Sequence, residues 1–209
     1  MPTLPPVVLE QWPARSDPGC RRFSTVADWR GSQYAVYDGE AYGGKRREFL
    51  HLLLLPRRAR LALEPAIYVG FADSEDLELL LGNKWQVHDP FLVAGDPHSY
   101  REFIRHSRAE FSVAKGGYVK SHSGWVSDRT ACYLASGKPA LVQSTGFEQR
   151  LPTGRGLLTF RTFDEAVAGV EAINADYPAH SRAARQLAEE YFDSDKVLGR
   201  LLERVGLGG

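Results

Sequence analysis

Residues 123–147 read SGWVSDRTACYLASGKPALVQSTGF, and this stretch decides the fold. Ser127 has the residue type of a helix N-cap, because its hydroxyl can accept a hydrogen bond from a free amide of the first turn. Gly137 ends that helix, since glycine readily adopts the left-handed conformation found at helix ends. Residues 140–143 then form a short apolar run that is typical of a buried strand. A helix that leads directly into a buried strand is half of a parallel crossover.

The same alternation continues on both sides of this stretch. Strand composition recurs at residues 23–27, 66–70, 85–88, 110–114 and 157–160. Helical patterns fall at residues 45–55 (ended by Pro56), 73–81, 99–107 and 162–173, and two more amphipathic helices follow. Capping-box spacings at residues 99–102 and 162–165 mark two of these helix starts. Short strands that alternate with helices predict an α/β fold, with a Rossmann-like parallel sheet flanked by helices.

The first 21 residues differ from the rest of the chain. Five of the twelve prolines fall within residues 1–20, where no hydrophobic period is visible. Because proline favours an extended backbone, residues 1–21 are predicted to be a linker-like strap that lies on a surface rather than in a core. Residues 22–206 are predicted to form a single Rossmann-like domain.

Composition and charge narrow the class of protein. Lysine plus arginine number 26 and aspartate plus glutamate also number 26, so no positive field favours nucleic acid. The longest apolar run, residues 49–55, is far shorter than the roughly 20 residues that cross a bilayer. Only two cysteines occur, and the start has no basic region followed by an apolar core, so we expect a reducing, cytoplasmic location without a membrane span.

Ser127, Asp128 and Arg129 open a helix just beyond a predicted strand. Parallel sheets bind ligands at this edge, where free N–H groups and the helix dipole favour an anion. A cation in the first turn of a helix is mildly unfavourable by itself, so an anionic ligand such as a phosphate would explain Arg129. The alternative interpretation is that Ser127 only caps the helix while Asp128 offsets Arg129 at the surface.

Two neighbouring loops complete the predicted crevice. Lys115, Gly116 and Gly117 open a loop in which cations flank a flexible glycine pair, a composition suited to close approach of the backbone to a ligand. An ordinary solvated loop has the same composition. Thr145 and Gly146 follow the strand at residues 140–143 and offer a hydroxyl and an amide to a sugar or ribose.

Three further features of the sequence contain residue types that carry chemistry. Residues 39–46 nearly match the nucleotide-binding P-loop, but Arg46 takes the place of the magnesium-binding Ser or Thr, so ATP hydrolysis is not predicted. Lys45 remains a candidate to face the crevice. Cys132 has no local base and is interpreted as a small core residue. The six histidines show no i, i+4 pair, so no metal site is predicted.

The residues around Gly137 carry a family resemblance. The helix start followed by LASGKPAL at residues 134–141 resembles the "small-x-Gly-x-Pro-Val" signature of the C-terminal, nucleotide-sugar-binding domain of GT-B glycosyltransferases, in group 1 and its spore-maturation-protein-like members. The resemblance extends through AEFSVAK at residues 109–115, GWVSDR at 124–129 and GRGLLTF at 154–160, and it covers roughly residues 22–206. Residues 6–13 look like the linker that enters this domain.

The resemblance implies sugar transfer from a nucleotide-sugar donor without a metal or other cofactor. It also implies that the donor's diphosphate lies near the helix that begins at Ser127. Many retaining members carry two glutamates seven residues apart across this helix, but the matching positions here are Gly124 and Cys132. In the family the acceptor-binding half precedes the linker, so no catalytic residue is assigned, and the sugar, the nucleotide, the acceptor and the stereochemical course stay open.

Three hypotheses follow from this resemblance. The chain is the donor half of a glycosyltransferase whose other half comes from a longer product or a partner chain; or it binds nucleotide-sugars without transfer; or it is a remnant. A remnant would expose the apolar face once covered by the missing domain and would associate with itself or another chain.

Overall fold

A five-stranded parallel sheet forms the centre of the computed structural model, which describes residues 4–15, 17, 19–30 and 35–207. In chain order, the strands of the described residues are β1 (Phe23–Asp28), β2 (Ala35–Tyr37), β3 (Glu40–Tyr42), β4 (Leu63–Tyr68), β5 (Ala109–Ser112), β6 (Ala140–Gln143) and β7 (Leu157–Phe160). The sheet has the order β4-β1-β5-β6-β7, while β2 and β3 form a separate antiparallel hairpin. The expected α/β fold with a Rossmann-like parallel sheet is confirmed.

Helices connect the strands and cover the sheet. They are α1 (Arg46–His51), α2 (Leu55–Ala59), α3 (Ser74–Gly82), α4 (Pro90–Val93), α5 (Pro97–Arg105), α6 (Gly116–Lys120), α7 (Asp128–Ala135), α8 (Phe163–Ala175), α9 (Tyr177–Leu187) and α10 (Ser194–Arg204). A π-helical turn, Ala188–Phe192, links α9 to the segment before α10. Short 3-10 turns lie at Leu9–Gln11, Phe71–Asp73 and Phe147–Gln149.

Two buried clusters hold the sheet between its helices. The larger one contains Phe49, Trp85, Phe111 and Phe160, and the rings of Phe111 and Phe160 stack with centroids 5.3 Å apart. The smaller one lies under α7 and α9. Burial of one such aromatic side chain contributes about 1.5–3 kcal/mol, so these clusters supply a large part of the stability of the sheet.

The N-terminal strap is more closely integrated than its proline content predicts. Val7 is buried in the smaller cluster and forms a parallel bridge with Asp193. Its amide donates to the carbonyl of Phe192 over 2.8 Å, and its carbonyl accepts from the amide of Ser194 over 3.0 Å. A surface strap was expected at residues 1–21, so the burial of Val7 corrects that part of the prediction. Residues 1–3, 16 and 18 lie outside the described residues.

Two predicted helix boundaries were wrong because of proline. Pro56 was expected to end a helix, but it lies in the first turn of α2, where its missing N–H costs nothing. Ser99 was expected to begin a helix, but Asp96 is the N-cap, with Pro97 first in the helix, and Ser99 supplies the return hydrogen bond of the capping box. In each case the proline lies in the first turn of a helix.

Two extended segments also differ from the prediction. Residues 85–88 pair with β4 through only a few hydrogen bonds, and the sole bridge joins Ala66 to His88. The β2–β3 hairpin was predicted only as turn-rich, although Asp38 and Gly39 form the residue pair that favours a tight turn with two positive φ angles. Of the stretch expected to be turn-rich, residues 31–34 lie outside the described residues.

Gly156 provides a stability test of how closely α9 approaches the sheet. An added Cβ at Gly156 would lie 2.4 Å from the backbone nitrogen of Ala184, and its φ is +75°. Gly154 also has a positive φ, +103°, but an added Cβ there meets nothing within 4 Å. We expect Gly156→Ala to lower the free energy of unfolding by about 3 kcal/mol and Gly154→Ala by about 1 kcal/mol. Urea denaturation measures both; equal losses would show that α9 does not constrain Gly156.

Candidate functional site

A small cavity of about 150 Å³ opens at the carboxyl ends of β5 and β6. The chain runs from β1 outward to β4 and then returns across β1 to β5, so the cavity lies beside the point where the strand order reverses. Open parallel sheets bind their ligands at this point. The side chains and backbone that line the cavity come from Lys45, Ser112, Val113, Ala114, Lys115, Tyr118, Trp125, Ser127, Arg129, Val142 and Thr145.

Arg129 lies in this wall but is fixed by the protein itself. Its Nε donates to Oε1 of Glu110 over 2.7 Å, and its two terminal nitrogens donate to the carbonyl of Val26 and to Oγ of Ser112, each over 2.7 Å. Burial alone would lower the pKa of the guanidinium, but the carboxylate of Glu110 raises that pKa above its ordinary value. Arg129 is therefore a permanent positive charge.

The surface interpretation of Arg129 is wrong, because its guanidinium is buried and pairs with Glu110 rather than with Asp128. Every guanidinium nitrogen already has a protein partner, so the group cannot turn toward a phosphate without breaking a bond, and its contact with an anion stays a prediction. The backbone amide of Arg129 is capped by Ser127 Oγ at 3.3 Å and Asp128 Oδ1 at 2.9 Å. The first turn of α7 thus contributes its dipole and a fixed charge to the cavity wall.

Lys45 is the least compensated cation at the cavity. Its side chain is half-buried just before α1, and no carboxylate of the described residues forms an ion pair with it. Burial, and then the positive charges of Arg129 and Lys115, lower the pKa of Lys45 to about 7, although Glu110 offsets part of this effect. A cavity that contains a fixed guanidinium and a destabilised ammonium favours an anionic ligand.

The glycine pair forms a helix rather than a flexible loop. Gly116 and Gly117 open α6, and their amides donate to the carbonyls of Gly44 and Gly43 over 3.2 and 3.1 Å. Contact with this neighbouring segment stabilises a short helix that local propensity disfavours. Lys115 precedes α6, and its ammonium lies 5.7 Å from the ring centre of Tyr118.

Of the other predicted residues, two line the small cavity and two, Gly146 and Asp128, do not. Ser127 and Thr145 line the small cavity, and Thr145 Oγ1 donates to the carbonyl of Trp125 over 2.7 Å. Gly146 makes the turn after β6 with a φ of +89°. Asp128 lies instead on the wall of a larger groove beside the cavity.

Two aromatic residues of the site were missed. Tyr118 and Trp125 line the cavity, and their rings stack with centroids 5.1 Å apart. The side chain of Trp125 is half-exposed. An isolated tryptophan before a helix start carries no periodic signal, so its role depends on the fold that places it beside α6.

Cys132 lies on α7 with its thiol in the protonated form. Burial raises the pKa of the Cys132 thiol to about 12, which keeps it protonated at neutral pH. Its partial burial against the smaller cluster fits the interpretation as a core residue. Within the described ranges, no three His, Cys, Asp or Glu side chains are grouped closely enough to hold a metal ion.

Comparison with known proteins identifies the family. The model of the family described as "Glycosyl transferase-like" matches residues 58–203, well over half of the chain. No curated protein matches this chain. In the described part of the chain, no helix is both long enough and apolar enough to cross a membrane.

Solved structures show the same fold in longer proteins. AviGT4, a glycosyltransferase involved in avilamycin A biosynthesis, is 15% identical with a TM-score of 0.60, and the match covers 97% of this chain and 56% of AviGT4. A chain of the GtfA/B complex matches at 15% identity and a TM-score of 0.52, and the match covers 93% of this chain and 38% of that chain. A TarM variant from S. aureus, in complex with fondaparinux, alpha-GlcNAc-glycerol and UDP, matches at 9% identity and a TM-score of 0.54. This match covers 90% of this chain and 37% of the TarM chain. This chain therefore spans about half or less of these relatives.

Proposed function

Since the chain belongs to the glycosyl transferase-like family, we propose that it is the donor-binding half of a glycosyltransferase and that its small cavity holds the diphosphate of a nucleotide-sugar. The observation that carries this proposal is Lys45, a half-buried cation without an ion-pair partner among the described residues, beside the fixed charge of Arg129. A diphosphate supplies the ion-pair partner that Lys45 lacks, in the positive potential of Arg129. The match to a TarM structure that contains UDP supports the same class of ligand.

The residues around the cavity divide the proposed binding task. Lys45 forms the direct ion pair with the diphosphate, while Arg129 and the first turn of α7 supply a positive potential without moving. Ser127, Thr145 and Lys115 also line the wall, where the hydroxyls of Ser127 and Thr145 donate to Asp128 and to the carbonyl of Trp125. The nucleoside and the sugar extend from the two ends of the diphosphate along this edge of the sheet.

The same charges favour transfer as well as binding. When the bond between the anomeric carbon and the diphosphate oxygen breaks, negative charge grows on the leaving diphosphate. The Lys45 ammonium stabilises this growing charge by direct contact, and the fixed guanidinium of Arg129 stabilises it through its positive potential. No residue of this chain is assigned as a base. We propose that the other half of the enzyme, in a longer product or a partner chain, supplies the acceptor site.

Calorimetric titration tests the proposal directly. The purified chain is titrated with UDP, GDP, ADP and their sugar conjugates, and saturable one-to-one binding of at least one diphosphate is expected. The matching nucleoside, which lacks phosphates, serves as the control and should bind at least tenfold more weakly. Equal affinity for the nucleoside would contradict a diphosphate site. Transfer of sugar to an added acceptor distinguishes an enzyme from a binding module.

Binding should weaken as the pH rises above 7. In the free protein the pKa of Lys45 is lowered to about 7, so the side chain loses its proton above that pH, and an anion must restore the proton to bind. The terminal phosphate of the ligand, with a pKa near 6, is already ionised there. We expect the affinity for UDP to fall roughly tenfold between about pH 7 and 8.5. Lys45→Arg stays charged and should remove this dependence; an identical slope in that variant would exclude Lys45 as the titrating group.

A further inference from the structure

A second cavity, of about 770 Å³, adjoins the small one. The two share the side chains of Tyr118 and Trp125, so the stacked pair forms the boundary between them. We call the larger cavity the side groove. Its volume lies within the range of about 300–1,000 Å³ that is usual for pockets that bind small molecules.

The walls of the side groove are mostly apolar. They are formed by the strap at Leu4, Pro5 and Pro6, by the loop after β6 at Phe147 and Leu151, and by Val126 before α7. Tyr191 and the half-exposed Trp125 add two aromatic rings. An apolar wall with aromatic faces favours a planar or chain-like hydrocarbon body, because removal of that body from water is favourable.

The charged groups at the side groove leave an excess of positive charge. Arg150 and Arg200 contribute two guanidinium groups, and Asp128 contributes one carboxylate. That carboxylate already accepts from the backbone amide of Arg129 at 2.9 Å. The side chain of Arg150 has no hydrogen-bond partner among the described residues, and Arg200 donates only to the carbonyl of Glu190, over 3.1 Å. Charge complementarity therefore favours an anionic group on the ligand.

We propose that the side groove binds a second small molecule, an aromatic anion whose ring system lies against Trp125 and Tyr191 and whose acidic group pairs with Arg150 and Arg200. This site is distinct from the diphosphate cavity, because Lys45 lines only the small cavity, while both arginines line only the side groove.

A matched pair of fluorescent probes tests the site. Anilinonaphthalene sulfonate is an aromatic anion, and phenylnaphthylamine has the same rings without the charge. We expect both to bind the native chain saturably, one molecule per chain, while thermal unfolding of the chain remains cooperative. The double variant Arg150→Glu, Arg200→Glu should weaken the sulfonate at least tenfold and change the affinity of the uncharged probe by less than about twofold. Arg58→Glu, an exposed arginine on α2, is the charge-reversal control and should change neither.

Other apolar surfaces provide the outcomes that would overturn the proposal. Phe71 and Phe91 are exposed aromatic residues that do not line the side groove. The ring of Phe91 contacts the ring of Tyr68. Loss of sulfonate binding in the double variant Phe71→Ser, Phe91→Ser would move the site to that surface. The proposal would also be refuted if the arginine double variant bound the sulfonate as tightly as the wild type does, or if the wild type showed no saturable binding of the sulfonate.

The same samples separate this inference from the proposed function. The arginine double variant should bind UDP as the wild type does, and Lys45→Met should bind the sulfonate as the wild type does. Probe binding without any nucleotide binding would remove the proposed function and leave the side groove supported. Nucleotide binding without probe binding would refute the side-groove site and leave the proposed function supported.

Discussion

Replacement of Lys45 by methionine should lower the affinity of the chain for UDP by about 30- to 150-fold. A charge-assisted contact in a half-buried site is worth about 2–3 kcal/mol, and each 1.4 kcal/mol corresponds to a factor of ten. Methionine keeps the length and apolar contacts of the lysine stem, so the loss reports the charge. The effect is expected to be large because Arg129 cannot turn toward the ligand without breaking its bonds to Glu110, Val26 and Ser112.

Two control variants sharpen this measurement. Lys45→Arg keeps the positive charge and should stay within about fivefold of the wild-type affinity at pH 7. Lys196→Met removes an exposed ammonium from α10, where it donates to the carbonyl of Glu189, and should leave UDP binding unchanged. If Lys45→Met bound UDP as tightly as Lys196→Met, the diphosphate would not lie at this cavity.

Replacement of Glu110 by alanine should produce the largest loss of stability, about 3–5 kcal/mol. Glu110 is fully buried on β5, and its carboxylate is the ion-pair partner of the buried Arg129 guanidinium. Removal of one member of a buried pair leaves the other charge without compensation, and this cost is much greater than the net value of the pair. For a domain of this size the change corresponds to a fall in Tm of roughly 10 °C.

A surface pair on α5 is the matched control. Glu102 accepts from Arg105 over 2.6 Å one turn along the helix, with both side chains partly exposed. Exposed pairs contribute about 0–1 kcal/mol, so Glu102→Ala should cost no more than that. Chemical denaturation of both variants measures the difference. A Glu110→Ala variant as stable as Glu102→Ala would show that Arg129 is solvated or has moved out of its buried position.

The parts of the fold that depend on local patterns were predictable from the sequence. The strands at residues 140–143 and 157–160 and the capping box of α8 lie where the composition and spacing placed them. In each case a single short-range rule decides the structure, and no distant residue opposes it. The edge of the sheet that carries the cavity follows from the same alternation, since parallel strands present their carboxyl ends together.

The electrostatic character of the site was not predictable in the same way. The partner of Arg129 is Glu110, nineteen residues earlier in the chain, and only the pairing of β5 beneath α7 brings them together. In the sequence, Asp128 is the nearer carboxylate, which suggested the wrong partner. Lys45 lies on a segment that resembles a P-loop, and its value as a cation depends on the fact that no carboxylate among the described residues forms an ion pair with it.

The short helix α6 shows how tertiary contacts override propensity. Two glycines at its start favour a flexible loop, and the sequence offers no capping side chain. Gly43 and Gly44 accept the amides of Gly117 and Gly116, an approach that larger residues would hinder. At Gly116 an added Cβ would lie 3.0 Å from Oε1 of Glu48. The glycine pair therefore serves close packing of backbone against backbone rather than mobility.

The most direct test of the account is to map the UDP contact on the backbone amides of the chain by NMR. Titration of the isotopically labelled protein should give saturable shifts at Lys45, at residues 112–118 and 125–129, and at Thr145 and Gly146, with the amides around Arg150 and Arg200 unaffected. Lys45→Met should lose these shifts at the same UDP concentration while its spectrum stays that of a folded protein. Saturable shifts confined to another face of the sheet, or no shifts at millimolar UDP and the other nucleoside diphosphates, would contradict a diphosphate site at the carboxyl ends of β5 and β6.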